Sequence, residues 1–266
     1  MSIPLDSVCQ SLASIAPLRL AESWDNVGLL IGDRTAGVER VMTCLTLTPS
    51  VVDEAIDEGA DLVVVHHPLP FRPVSRINSD SIAGTMLWRL IRNGVAVYSA
   101  HTAFDSAADG INQQWAESLA LDRIGPMVDP DEGKELGSGR VGVLAEPMEA
   151  RELIRKCLVH AGGDLKKLRG VGPLDRKVRK VGFACGSGGS FVAAAHRRGC
   201  ELLITGEATF HQCLEAESLE MAMGLLGHYH SERFAIENLA TRLGGELAEL
   251  SIWPSKREGD PIQAIS

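Results

Sequence analysis

The 266-residue sequence predicts an α/β protein built from two similar α/β domains, with mainly parallel sheets and helices on both faces. Three observations carry that expectation. Apolar strand-like runs alternate with helix-period segments, which is the rhythm of parallel βαβ units. One such unit recurs in register 140 residues further on, as an internal duplication would leave it. Finally, 45% of residues are hydrophobic against 23% charged, enough to fill a real core.

Taken in order, "RVMTCLTL" from Arg40 reads as a strand and "TPSVVDEAIDEGA" as the helix behind it. Pro49 suits the first turn of that helix and Gly59 its exit. "DLVVVHH" is the next strand, "DSIAGTMLWRLIRNG" a helix, and "VAVYSAH" a third strand. "RVGVLAE", "MEARELIRKCLVHAG" and "KVRKVGFACG" resume the alternation. The segment between them, "GPMVDPDEGKELGSG", is rich in Gly, Pro and acid; it places a domain boundary near residue 125, giving domains 1–125 and 126–266. In the repeat, Arg40 falls on Lys180, Gly59 on Gly199, Asp61 on Glu201 and His66 on Gly206 without a gap. "VYSAHTAFD" then matches "LLGHYHSERF" at an offset of 127, setting His101 on His228 and Asp105 on Glu232.

Composition excludes several classes. A formal charge of −9 opposes general nucleic-acid binding, which wants a basic face. The start shows no secretory signal, and no apolar run approaches the roughly 20 residues that span a bilayer. The six cysteines are scattered without a Cys-x-x-Cys pair, so they read as reduced thiols of a cytoplasmic protein, and a zinc–thiolate site is not expected.

In open parallel sheets, ligands bind beyond the carboxyl ends of the strands. His66 and His67 stand at such an end, as do His101 in one copy and His228 in the other. Neighbours on a strand point to opposite faces, so the two adjacent imidazoles are expected to diverge, one toward each of two metal ions. Asp105 and Glu232 supply carboxylates able to bridge. The set His66, His67, Asp105, His228 and Glu232 offers nitrogen and oxygen without thiolate, which favours Zn, Mn, Fe or Co. Singly, each has a plainer role: a hydrogen-bonded strand-end His, Asp105 as a helix N-cap, Glu232 at a helix's positive end. His101 is the candidate for proton transfer, and His230 is either a supporting donor or outward-facing. "CGSGGS" (Cys185 to Ser190) is either a tight turn or a weak anion cradle; "SWDN" around Asp25 carries no evident chemistry.

The motifs "SWDNVGLLIG", "ADLVVVHHPLPF", "VYSAHTAFDSAADGIN", "GSGRVG", "CGSGG" and "GHYHSERFAIENLA" run in order over residues 23–241 and resemble the GTP cyclohydrolase 1 type 2, or Nif-three-like, family. The resemblance implies two intertwined α/β domains, a dinuclear metal centre on the same five residues, and a homohexamer. It also implies a hydrolase in which water activated by two divalent ions attacks a purine-ring carbon of a nucleotide. A dinuclear phosphohydrolase and a non-catalytic metal-binding adaptor or metal-handling protein are the alternatives. Thr46 and Ala103 depart from the family's usual residues, and neither departure removes a proposed ligand. No membrane partner is expected.

Overall fold

A computed structural model describes residues 2–130 and 136–265. Residues 131–135, inside the Gly- and Pro-rich segment, lie outside the described part. The chain forms two compact units: Met1–Phe104 with Ala235–Gly259, and Asp105–Phe234 with Asp260–Ser266. Chain order would divide it once, near residue 125; compactness instead groups Asp105 with the second unit and residues 235–259 with the first.

The first unit holds a five-stranded sheet in the order Ser251–Pro254, Arg40–Thr46, Leu62–His67, Ala96–Ser99, Gly28–Ile31. The first four strands run parallel and the last antiparallel. Leu62–His67 is central and covered on both faces, which is why its sequence is an unbroken apolar run rather than an alternation. Val63 and Val65 pack with Met42, Cys44, Val51, Val52, Met86 and Leu90. Burial of each such side chain is worth roughly 1.5–3 kcal/mol. Helix Pro49–Asp57 starts where Thr48 accepts a bond from the Val51 amide, with Pro49 preset for the first turn. Ser81 caps helix Ile82–Arg92 through the Gly84 amide. The edge strand Ser251–Pro254 is tied down by buried Glu54. Its carboxylate accepts from Ser255 Oγ at 2.6 Å and from the amides of Lys256 and Arg257 at 2.8 and 2.9 Å.

The second unit holds a six-stranded sheet in the order Asp122–Gly125, Arg140–Glu149, Lys177–Ala184, Leu202–Thr205, Ala222–Leu225, Arg169–Val171. Lys177–Ala184, Leu202–Thr205 and Ala222–Leu225 are parallel; the remaining pairings are antiparallel, so this sheet is mixed. Its core gathers Val141, Ala184, Val192, Leu203, Met221 and Met223. Helix Phe210–Ser218 opens with a reciprocal capping box between Thr209 and Gln212.

The duplication read from the sequence reappears in the ladders. Val41 pairs with Leu62 as Val181 pairs with Leu202, which is the same offset of 140. The third strands differ slightly: Leu62 pairs with Ala96 and Leu202 with Ala222, an offset of 222 − 96 = 126. Strand register therefore sets His101 at the position of Gly227, and aligning it with His228 requires one added residue at the strand-to-helix turn. Among the described residues no helix is long and apolar enough to cross a membrane.

Candidate functional site

In the first unit, His66 and His67 end strand Leu62–His67, and His101 follows strand Ala96–Ser99. These strands pair in parallel, Val65 opposite Ser99, so both carboxyl ends open at one edge of the sheet. Ligand nitrogens of His66, His67 and His101 lie within 4.8 Å of one another. The ring centroids of His66 and His67 are 5.0 Å apart, and those of His101 lie 5.2 and 5.5 Å from them. The two adjacent imidazoles thus converge, where strand alternation led us to expect divergence. Alternation fixes only the Cα–Cβ bonds; at the end of the strand the side-chain torsions decide where the rings lie.

The rings of His67 and His101, and the backbone of His66, are held from behind. His67 Nδ1 is 2.7 Å from Thr46 Oγ1, a contact that follows from register because Thr46 and His67 are ladder partners. Ser99 Oγ donates to the His66 carbonyl at 2.7 Å. His101 Nδ1 is 2.7 Å from Asp25 Oδ1, and Asp25 also accepts from the Thr102 amide and hydroxyl. Burial pushes the Asp25 carboxyl up, but the bonds from His101 and Thr102 outweigh it and bring its pKa down to about 2. The ionised carboxylate only accepts, so His101 carries its proton on Nδ1 and presents Nε2 as the basic nitrogen. His101 also has φ of +21°, uncommon for a residue with a side chain; its counterpart by strand register is Gly227, with φ of +89°. Asn26 completes the motif: its Nδ2 donates to the Pro70 carbonyl at 2.7 Å, joining the "SWDN" loop to the "HPLPF" loop. Reading the sequence assigned no chemistry to Asp25 or Asn26; the only signal was three polar or aromatic residues crowded before an apolar strand.

In the second unit, His228 and Glu232 stand on the first turns of helix His228–Glu246, where one turn's spacing sets His228 Nε2 3.2 Å from Glu232 Oε2. His228 Nδ1 is 2.8 Å from Glu207 Oε1, which also accepts from Ser187 Oγ at 2.8 Å. The bond from Glu232 first, and then Glu207, raise the His228 pKa to about 9 despite partial burial. Two carboxylates flanking one imidazole concentrate negative potential at a point that favours any cation. Glu207 is another residue the sequence reading missed, although the offset that sets His66 on Gly206 also sets His67 on Glu207.

Asp105 is built into the same unit. Cys185 Sγ donates to Asp105 Oδ1 at 3.2 Å. Burial, and then the charges of Asp105 and Glu232, push the Cys185 thiol well above its usual pKa, so it stays protonated and able to donate. Asn112 links the two segments, donating to the Asp105 carbonyl at 3.1 Å and accepting from the Cys185 amide at 2.9 Å. Buried Arg140 binds the next two carbonyls, of Ser106 and Ala107, at 2.8 and 3.0 Å. Asp105 lies inside helix His101–Ser106, so it is not the N-cap of helix Ile111–Ser118. The glycine-rich turn is structural. Its Cys185 and Gly186 amides are committed to Asn112 and to Ser231 Oγ, and Gly186, with φ of +60°, gives room for Glu232. His230 turns elsewhere, its Nε2 3.5 Å from Asp260 in the C-terminal segment.

The family profile Duf34/NIF3 (NGG1p interacting factor 3) matches residues 3–261. The chain belongs to the DUF34/NIF3 family. Within it, a protein named GTP cyclohydrolase 1 type 2 homolog from Clostridium acetobutylicum is 34% identical over 253 residues, covering 95% of this chain and 94% of that one. A relative of the same name from Clostridium perfringens is 32% identical over 262 residues, covering 98% and 99%. The crystal structure of a Bacillus cereus protein related to NIF3 superposes with a TM-score of 0.88 at 22% identity, covering 99% of both chains, which establishes the shared fold. Among the described residues of this DUF34/NIF3 chain is a histidine cluster able to hold a metal ion.

Proposed function

We propose that the chain is a dinuclear metal-dependent hydrolase acting on a purine ring carbon of a nucleotide. In this reading His66, His67, Asp105, His228 and Glu232 hold two divalent transition-metal ions, and His101 moves the proton. The observation that carries it is the meeting of three imidazoles at one strand edge, with His101 oriented by a buried carboxylate. The donor chemistry fits Zn, Mn, Fe or Co: imidazole nitrogen and carboxylate oxygen, with the nearest thiol held protonated. Such ions, when bound, acidify a water and polarise the carbon it attacks.

The remaining work falls to the chain. Asp25 fixes the His101 tautomer, so that Nε2 is the nitrogen that takes a proton from the attacking water and returns it to the leaving nitrogen. The Asp25 carboxylate then stabilises the imidazolium that forms. Thr46 holds the His67 ring and Glu207 the His228 ring, each through Nδ1, so Nε2 is the nitrogen that each ring would turn to a metal ion. Relatives bearing the GTP cyclohydrolase 1 type 2 name support the choice of a nucleotide. A homohexamer in the cytoplasm completes the reading.

The test is to incubate metal-loaded protein with GTP and other purine nucleotides and measure formate and phosphate separately. Formate release that disappears in His101→Ala supports the proposal. Phosphate release without formate would replace it with phosphoester hydrolysis, and no turnover at all would remove the catalytic claim.

A further inference from the structure

Beside His101 stand two aromatic side chains that the fold leaves largely in water: Trp24 is 60% exposed and Phe71 43%. In a chain with only 5% aromatic residues, their placement together is notable. Their ring centroids are 5.9 Å apart, and they lie 6.1 and 6.2 Å from the His101 ring. Nor is the pairing left to loose loops. Asn26, two residues from Trp24, donates to the carbonyl of Pro70, the residue before Phe71. Asp25, between Trp24 and Asn26, holds His101 itself. One short motif therefore fixes the aromatic pair and the imidazole in a single frame.

We infer that Trp24 and Phe71 form a stacking platform that takes a planar heteroaromatic ring and delivers its edge to His101. Two π surfaces, tilted 58° to each other, suit a flat base lying on one ring with its edge against the other. Neither ring carries a charge, and Trp24 Nε1–H is the pair's single hydrogen-bond donor, too little to hold a phosphate dianion. The ligand class is thus a nucleobase or a heterocycle of that size, recognised by its face and independently of sugar and phosphate. Preorganisation by Asn26 and Asp25 means little ordering remains to oppose binding. The inference deepens the proposed function and rests on it for the reaction that follows binding.

The experiment measures equilibrium binding of guanosine and of ribose 5-phosphate to the metal-loaded protein, by calorimetry and indole fluorescence. It compares wild type, Trp24→Ala, Trp24→Phe and Phe71→Leu. Trp24 is exposed, so the fold tolerates its removal; unchanged circular dichroism and unchanged metal content verify that. Guanosine should bind wild type and bind Trp24→Ala roughly tenfold or more weakly, as loss of a base–aromatic stack predicts. Trp24→Phe should recover part of the loss, and ribose 5-phosphate should be insensitive to every variant. Equal guanosine affinity in wild type and Trp24→Ala overturns the platform, as does a change confined to oligomeric state, which would make Trp24 a subunit contact. Formate release with an unchanged KM in Trp24→Ala sinks the platform and leaves the hydrolase reading standing. Trp24-dependent guanosine binding without formate release does the reverse.

Discussion

Replacing Asp25 with asparagine keeps the shape of the side chain and removes its charge. The carboxylate is buried and accepts four bonds: from His101 Nδ1, the Asn26 amide, the Thr102 amide and the Thr102 hydroxyl. An amide cannot accept all four, because one of its ends is a donor. Two routes give the size of the effect. Hydrogen bonds to a charged group are worth about 1.5–3 kcal/mol. Independently, the carboxyl moves from 3.8 to about 2 on folding, which at roughly 1.4 kcal/mol per unit is about 2.5 kcal/mol. The sign follows from proton uptake. Between those two values the unfolded chain binds a proton that the folded chain does not, so the contribution is complete above about pH 4 and fades as pH falls toward 2. Asp25→Asn should therefore lose about 2.5 kcal/mol at pH 7, measured by urea denaturation, and roughly half of that deficit should remain at pH 3. The His101 tautomer should shift as well, since the asparagine amide can donate to Nδ1. Nitrogen chemical shifts of the imidazole report this directly, and turnover should drop by about 10²–10⁴. A deficit below about 0.5 kcal/mol at pH 7, or one that stays constant down to pH 3, would refute the reasoning.

Other perturbations probe the remaining parts. His67→Ala or Glu232→Ala should lower bound metal from about two equivalents per chain toward one or none, by elemental analysis. Glu207→Gln should weaken metal binding by about 10–100-fold through the loosened His228 ring, by chelator competition. In metal-free protein the His228 contribution is present below pH 6.5 and lost as pH rises through about 9; the melting temperature should fall over that window, and less steeply in Glu207→Gln. Gly186→Ala forces a side chain into a left-handed conformation, at about 1–2 kcal/mol, and sets a β-carbon against Glu232 Oε1. It should lose metal while remaining folded by circular dichroism.

The parts of the site legible in the sequence are those that local patterning marks. A two-face-buried strand announces itself as a valine run, so His66 and His67 could be placed at its tip before any coordinates existed. His228 and Glu232 are one helical turn apart, and that spacing fixes their contact. Thr46 meets His67 through ladder register, which only the paired strands fix. Asp25 and His101 are separated by 76 positions, and Cys185 and Asp105 by 80. No periodicity connects such pairs, and Glu207 is marked only by falling on His67 in the repeat.

From the amino-acid order alone came the α/β class, the duplication and the strand tips that carry imidazoles, because hydrophobic period and turn chemistry act over a few residues. Only the folded chain decided that adjacent histidines converge, that Asp25 orients His101, and which residues share a compact unit. Those outcomes depend on how distant segments close onto one another, and on rotamers chosen by packing, neither of which is written in local pattern.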